Sequence, residues 1–346
     1  MTIECLSTTD PRWQALLDEV SHDVYHLPQY LAVSAKYEGA EAAAFYAREG
    51  SSFCLIPVLL RRLPAVLTAP SAWRDVKSPY GYAVPLFRGD ESWIDKALYA
   101  FIAECHSRNV VSAFFCMHPL LEVPRNFARH GQLVQHGEIV YVDLSLTEAE
   151  LWSETRERLR SYIRRLQRAG FQTHFDDWSA YSNFVSIYGQ TMERLQANQF
   201  YRFPVQYFHD LRAALGTRLH FCSVFDARGE LACGALFTET QGIVQYHLSG
   251  TADRFVADAP SKLMLHDASL WAKRLGYRIL HLGGGRGNRA DSLFHFKAGF
   301  STRRSHFLTL RLICDESKYA SLCHQAETEL QDSEYFPQYR RSLQWA

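Results

Sequence analysis

Residues 277–301 read YRILHLGGGRGNRADSLFHFKAGFS, and this stretch carries the strongest structural signal in the chain. Tyr277, Ile279, Leu280 and Leu282 read as a strand, and three glycines, Gly283, Gly284 and Gly285, follow at once. Consecutive glycines mark a turn where side chains would clash, or backbone laid against a ligand; a tight connection and a binding floor are both compatible with them. Asp291 is a good N-cap, Phe294 and Phe296 are spaced to pack, and Gly299 is a stop signal. The spacing therefore predicts one short helix that displays Lys297 beside the glycine loop. It is neither G-x-G-x-x-G nor G-x-x-x-x-G-K-[ST], so no nucleotide fingerprint is present.

Upstream of this loop the order is strand LHFCSVFD, turn at Gly229, strand LACGALFTE, turn at Gly242, strand IVQYHLSG, then helix SKLMLHDASLWAKRLG. The same order occurs earlier. AAFYAR and FCLIPVLLRR form a hairpin around Gly50, a helix follows near Trp93 to Ser107, and it leads to the strand VVSAFFCMH. Hairpin, helix and strand recur at a similar offset, which predicts an internal duplication.

Between the halves, LTEAELWSETRERLRSYIRRLQRAG predicts one amphipathic helix ending at Gly170. Leu159, Tyr162, Ile163 and Leu166 form its apolar face, and Arg156, Arg160, Arg164 and Arg168 follow i, i+4 steps on another. Such a stripe suits phosphate; the competing reading is a solvated face partly neutralised by Glu148, Glu150, Glu154 and Glu157.

Of the 346 residues, 47% are hydrophobic and 14% aromatic, enough for two cores and against disorder. Lys plus Arg and Asp plus Glu each total 37, so any nucleic-acid contact must be a local patch, and non-specific DNA binding is disfavoured. The eight cysteines form no C-x-x-C pair and several lie in apolar runs, which fits buried thiols in a reducing compartment rather than staples or zinc ligands. No secretory leader pattern and no run of about eighteen apolar residues occurs, so a cytoplasmic protein without a transmembrane segment is expected. No Ser-His-Asp or Cys-His order is forced, so a hydrolase triad is not supported.

The ordered series RERLRSYIRRLQRAG, YGQTMERLQANQFYRF, QYHLSGTAD, APSKLMLHDASLWAKRLGY, LHLGGG and FHFKAGFS resembles the GNAT acyltransferase fold in its duplicated, Fem-type form. The resemblance covers about residues 140–313 well and the first half in outline. It implies an α+β fold of two tandem GNAT-like domains, each a central mixed sheet flanked by helices: residues 1–145 on the acceptor side and 146–346 on the acyl-donor side.

It also implies transfer of an acyl or aminoacyl group from an activated carrier to an amine, without a covalent enzyme intermediate. The family's aromatic-lysine pair falls on Phe296 and Lys297, and the lysine's charge is aimed at the developing oxyanion. Arg194, matched with Thr191 and Phe200, would face a phosphorylated part of the acceptor. Tyr246 would line the acyl tunnel or simply pack in its strand. Asp75, Lys77, Tyr80 and Tyr82, in the loop RDVKSPYGY, are the acceptor-side candidates. A proton must leave the attacking amine, for which His247 and His281 lie in the right intrinsic range, with Asp291 a further candidate or only a cap.

No tightly bound cofactor or metal is expected; the co-substrate is aminoacyl-tRNA or acyl-coenzyme A. Coenzyme A enzymes of this fold carry a Q/R-x-x-G-x-G/A loop before the helix corresponding to SKLMLHDASLWAKRLG, yet GTADRFVADAPSKLML has no glycine after Gly250. Gly283, Gly284, Gly285 and Arg286, with Arg156, Arg160 and Arg164, are the donor-side candidates, and tRNA is the partner slightly favoured. The expected acceptors are small-molecule, glycan or peptide precursors of the cell envelope, a polysaccharide or a natural product. The alternatives are an acyl-coenzyme A N-acyltransferase and a non-catalytic binding protein of the same fold.

Overall fold

In the computed structural model, residues 1–124, 126–327 and 335–341 are described. The chain forms two compact units, one of residues 1–136 with 307–346, the other of residues 137–306. The first contains β1 (Thr2–Ser7), β2 (Glu41–Glu49), β3 (Ser52–Arg62), β4 (Arg74–Lys77), β5 (Leu86–Arg88) and β6 (Val110–Cys116). The chain enters the second unit within β7 (Gln132–Asp143), builds β8 (Gln172–Phe175), β9 (Leu219–Phe225), β10 (Leu231–Thr240), β11 (Ile243–Thr251) and β12 (Ile279–Gly283), and leaves within β13 (Arg304–Ile313).

Each unit repeats one strand order. In the first it is β1-β2-β3-β4-β6-β13, with β5 added to β3; in the second it is β8-β9-β10-β11-β12-β7. Within each, four strands run as an antiparallel meander, a helix crosses over, and the next strand returns parallel to the fourth. A parallel pair requires such a crossover, supplied by helices Glu91–Ser107 and Ser261–Arg274. The last strand of each order is the one that, by sequence, would finish the other repeat. That exchange is why the compact units do not divide at the expected 145/146: Thr309 to Ile313 pair with Cys116 to Ser112, returning the C-terminal segment to the first unit. Residues 342–346, the end of the expected second domain, lie outside those described.

The second unit's core joins β9, β10 and β12 to the buried face of helix Ser261–Arg274, through Cys222, Cys233, Phe237, Leu280, Leu263, Met264 and Ala268. In the first unit, Tyr339 is fully buried with Tyr319, Leu322 and Val111.

One expected element divides. The predicted single helix before Gly170 is two, Glu148–Glu154 and Glu157–Arg168, because Thr155 and Arg156 are extended (ψ 124° and 140°). Thr155 Oγ1 donates to Leu151 O at 3.0 Å, closing the first helix, and Arg156 N–H donates to Gly299 O at 2.8 Å. A tertiary hydrogen bond thus takes the amide that a continuous helix would have used internally.

Candidate functional site

Parallel strands β11 and β12 pair over Ile243–Gln245 and Ile279–His281, and the register between them ends there. The ladder between β10 and β11 slips at the same level: Leu236 pairs with Leu248 but Phe237 with Tyr246, leaving His247 as the extra residue of a β-bulge. Bulges re-aim side chains and bend strands, and openings at the carboxyl ends of parallel strands are where α/β sheets receive ligands. His247 is half-buried there, whereas His281 is fully buried within β12.

The glycine loop leaves β12 at this opening. Gly283 has φ 78°, a left-handed value that favours glycine. At Gly285 a Cβ would lie 2.1 Å from Arg289 O and 2.3 Å from Asp291 Oδ1, so close approach alone demands glycine. Asp291 caps helix Ser292–Lys297, accepting from Phe294 N–H at 3.0 Å, and its second oxygen accepts from Arg286 Nε at 3.1 Å. Burial raises the Asp291 pKa, but these donors outweigh it and leave the carboxyl below its ordinary range. Asp291 therefore ties loop to helix, and Arg286 is its tether.

Lys297 is not displayed, as the sequence suggested; it is 7% exposed. Its Nζ donates to Gly284 O at 2.7 Å and lies 5.8 Å from the centre of the Tyr246 ring. Burial pushes its pKa down to about 8, opposed only in part by the charge of Asp291. The amine stays mostly protonated at neutral pH, in a dry place where its charge acts strongly. Phe296, beside it, packs edge-on against Phe300 with ring centres 5.5 Å apart. Tyr246 donates its hydroxyl to Ser249 Oγ at 2.6 Å, and burial raises its pKa. Lys297, Tyr246 and the Gly284 carbonyl are thus brought together; Asp291, Arg286 and Phe296 hold the arrangement.

The expected arginines are placed differently. Arg194 is paired with Asp253 and donates to Thr251 O at 3.2 Å, so this guanidinium braces the end of β11. Arg156 sits at the helix junction. Arg160 reaches Trp152 O at 3.5 Å, and Arg164 lies 5.2 Å from the centre of the Trp152 ring. The neutralisation expected from nearby glutamates is absent from the ion pairs of the described residues: Glu150 caps Thr147, and Glu154 accepts from Ser301 Oγ at 3.2 Å.

In the first unit, RDVK is strand β4 rather than loop, and Asp75 is completely buried. It accepts from Arg61 Nε at 2.8 Å, Arg340 Nε at 2.5 Å and the Tyr339 hydroxyl at 3.1 Å, a network that holds the C-terminal segment. Lys77 is paired with Glu38 at 2.5 Å, and burial lowers its pKa. The turn that follows is the loop proper. Gly81, at φ 110°, lies on the Tyr25 ring, where a Cβ would come within 2.2 Å, and the Tyr80 carbonyl accepts from the Tyr30 hydroxyl at 2.7 Å. Half-buried Tyr82 packs edge-on against Tyr25, His118 and Phe307. Beneath it the buried His118 Nε2–Asp23 pair, 2.8 Å apart, fixes the floor. The sequence reading missed this pair because its members lie 95 residues apart.

Among the described residues no helix is long and apolar enough to cross a membrane, and no group of three or more His, Cys, Asp or Glu is arranged for a metal ion.

Part of the chain matches a known domain model, and several solved structures share its fold. The model of the acetyltransferase (GNAT) domain matches residues 153–297, a range that ends on Lys297. The crystal structure of FemX superposes with a TM-score of 0.70 at 13% identity, covering 92% of this chain and 99% of FemX. L-PGS from Bacillus licheniformis gives a TM-score of 0.58 at 13% identity, covering 92% and 97%. A tandem GNAT protein from the clavulanic acid biosynthesis pathway gives 0.50 at 11%, covering 90% and 98%. No curated protein matches the sequence significantly. Residues 153–297 therefore carry a GNAT-type acetyltransferase domain, an acyltransferase domain, in a chain whose fold is that of the Fem-like, duplicated GNAT proteins.

Proposed function

We propose that this protein transfers an aminoacyl or acyl group from an activated carrier to an amine, with the opening between β11 and β12 receiving the reactive carbonyl. The observation that carries this reading is the buried Lys297 ammonium, held between Gly284 O and the Tyr246 ring. As the amine attacks, the new N–C bond forms, the carbonyl oxygen takes up negative charge, and the carrier's C–O or C–S bond then breaks while the amine loses a proton. A preorganised cation in a water-poor site stabilises that charge. The proton must pass to a nearby base, and His247, at the bulge, is assigned that role.

Aminoacyl-tRNA is the favoured carrier. FemX and L-PGS are among the similar folds, and the helix after β11 begins at Ser261 without the glycine loop of the coenzyme A pattern. The acceptor amine is assigned to an envelope, polysaccharide or natural-product precursor.

The test offers purified protein radiolabelled aminoacyl-tRNA and acyl-coenzyme A pools separately, each with a simple amine, and measures label transferred. Transfer from aminoacyl-tRNA that disappears in a folded Lys297→Ala variant supports the reading. Transfer from coenzyme A thioesters alone moves the carrier assignment, and no transfer from either pool rejects it.

A further inference from the structure

We infer that Arg158, Arg165 and Lys262, gathered around Tyr162, form a binding site for the phosphate groups of the activated carrier. The inference deepens the transfer reading and rests on it for the ligand's identity. Helix Glu157–Arg168, ERLRSYIRRLQR, carries five arginines against one glutamate. Like charges along one helix oppose folding, so such a density calls for compensation. Among the described residues, none of the ion pairs uses any of the five.

The arginines divide between two rows. Arg160 and Arg164 turn toward Trp152, and Arg168 folds back on Arg164 O at 3.2 Å. Arg158 and Arg165 lie on the row of Tyr162, a half-buried ring. Lys262, from helix Ser261–Arg274, places its Nζ 3.3 Å from the centre of that ring, and the Arg165 guanidinium carbon lies 4.7 Å from it. Interaction with Arg158 first, and then the Lys262 charge, holds the Tyr162 hydroxyl below its ordinary pKa. Burial first, and then the Arg165 and Arg158 charges, lower the Lys262 pKa against the opposing pull of Tyr162. Three cations from two helices therefore share one tyrosine, with no carboxylate of the described residues paired to them. A ligand with adjacent anionic groups supplies the missing charge, and phosphates accept from guanidinium and ammonium donors together.

This row differs from the i, i+4 stripe that periodicity singles out. Lys262 is far off in sequence, so only the packing of the two helices assembles the cluster.

Two carriers share this chemistry, the diphosphate of coenzyme A and the backbone of tRNA. The test titrates the full-length protein with inorganic pyrophosphate, free coenzyme A and deacylated tRNA by calorimetry. It compares the wild type with Arg165→Gln/Lys262→Gln, with Lys262→Glu alone, and with Arg218→Gln, an exposed arginine at the start of β9, the end away from the turn that packs on Gly170, as a control. The expected result is that at least one probe binds the wild type and the control equally and the double variant about tenfold or more weakly, a ratio consistent with loss of two charged contacts. Binding of coenzyme A and pyrophosphate identifies the small carrier. Binding of tRNA alone, with a log–log salt slope reduced by about two in the double variant, identifies the nucleic acid. If no probe binds the wild type, or the variants bind as it does, the inference is overturned. Because no turnover is involved, failure of transfer with binding intact rejects only the catalytic reading.

Discussion

Burying the Lys297 ammonium costs stability, and the cost has a definite pH dependence. Its pKa is about 8 in the folded chain against an ordinary 10.5. Below pH 8 both states hold the proton and the cost is fully present; between the two values the unfolded chain binds more proton, so stability rises with pH; above 10.5 the cost is gone. Lys297→Met removes this dependence. Its stability relative to wild type is therefore predicted to fall, by on the order of 3 kcal/mol, from neutral pH to pH ~10.5 in urea titrations. The catalytic consequence has the opposite sense: kcat/KM is predicted to decline above pH about 8 as Lys297 loses its charge, and the pH–rate profile checks it. Gly285→Ala is a third case. A methyl group 2.1 Å from Arg289 O forces the loop to move, so transfer is expected to fall steeply, checked by turnover and by urea titration alongside.

At the scale of elements, Asp291 links cap and loop. Asp291→Ala is expected to cost about 1 kcal/mol, the usual value of an N-cap, whereas Asp291→Asn keeps a cap and loses the charge that faces Arg286. Urea titration of the two variants separates these contributions. How much was legible in the sequence also divides here. The alternation of LACGALFTE and the 3.6-residue pattern of SKLMLHDASLWAKRLG report local preferences and match β10 and the crossover helix. The break at Thr155 and Arg156 was invisible because its cause, the Gly299 carbonyl, comes from far along the chain. Lys297 read as exposed for the same reason: no spacing rule reveals that Gly284 and Tyr246 will enclose it. The glycine loop, the cap and the lysine were legible; their burial was not.

For the whole molecule, the duplicated pattern was readable from repeated hairpin, helix and strand, but the exchange of final strands was not, since either pairing satisfies the same alternation. The exchange makes the first unit depend on the chain's end. β13 pairs with β6, and Arg340 and Tyr339 reach the buried Asp75. A chain ending at His306 is predicted to lose the first unit's cooperative unfolding, seen as early proteolysis within residues 1–136 and dye binding to exposed apolar surface; a full-strength transition would refute the dependence.

The most direct test of the central claim is single-turnover transfer from labelled aminoacyl-tRNA to an amine, with acyl-coenzyme A in parallel, by wild type and Lys297→Met shown to be folded. Our account predicts transfer by the wild type and a loss of about 10²–10³ in rate for the variant, the range seen when one oxyanion-stabilising group is removed. Equal rates for the two proteins would contradict it.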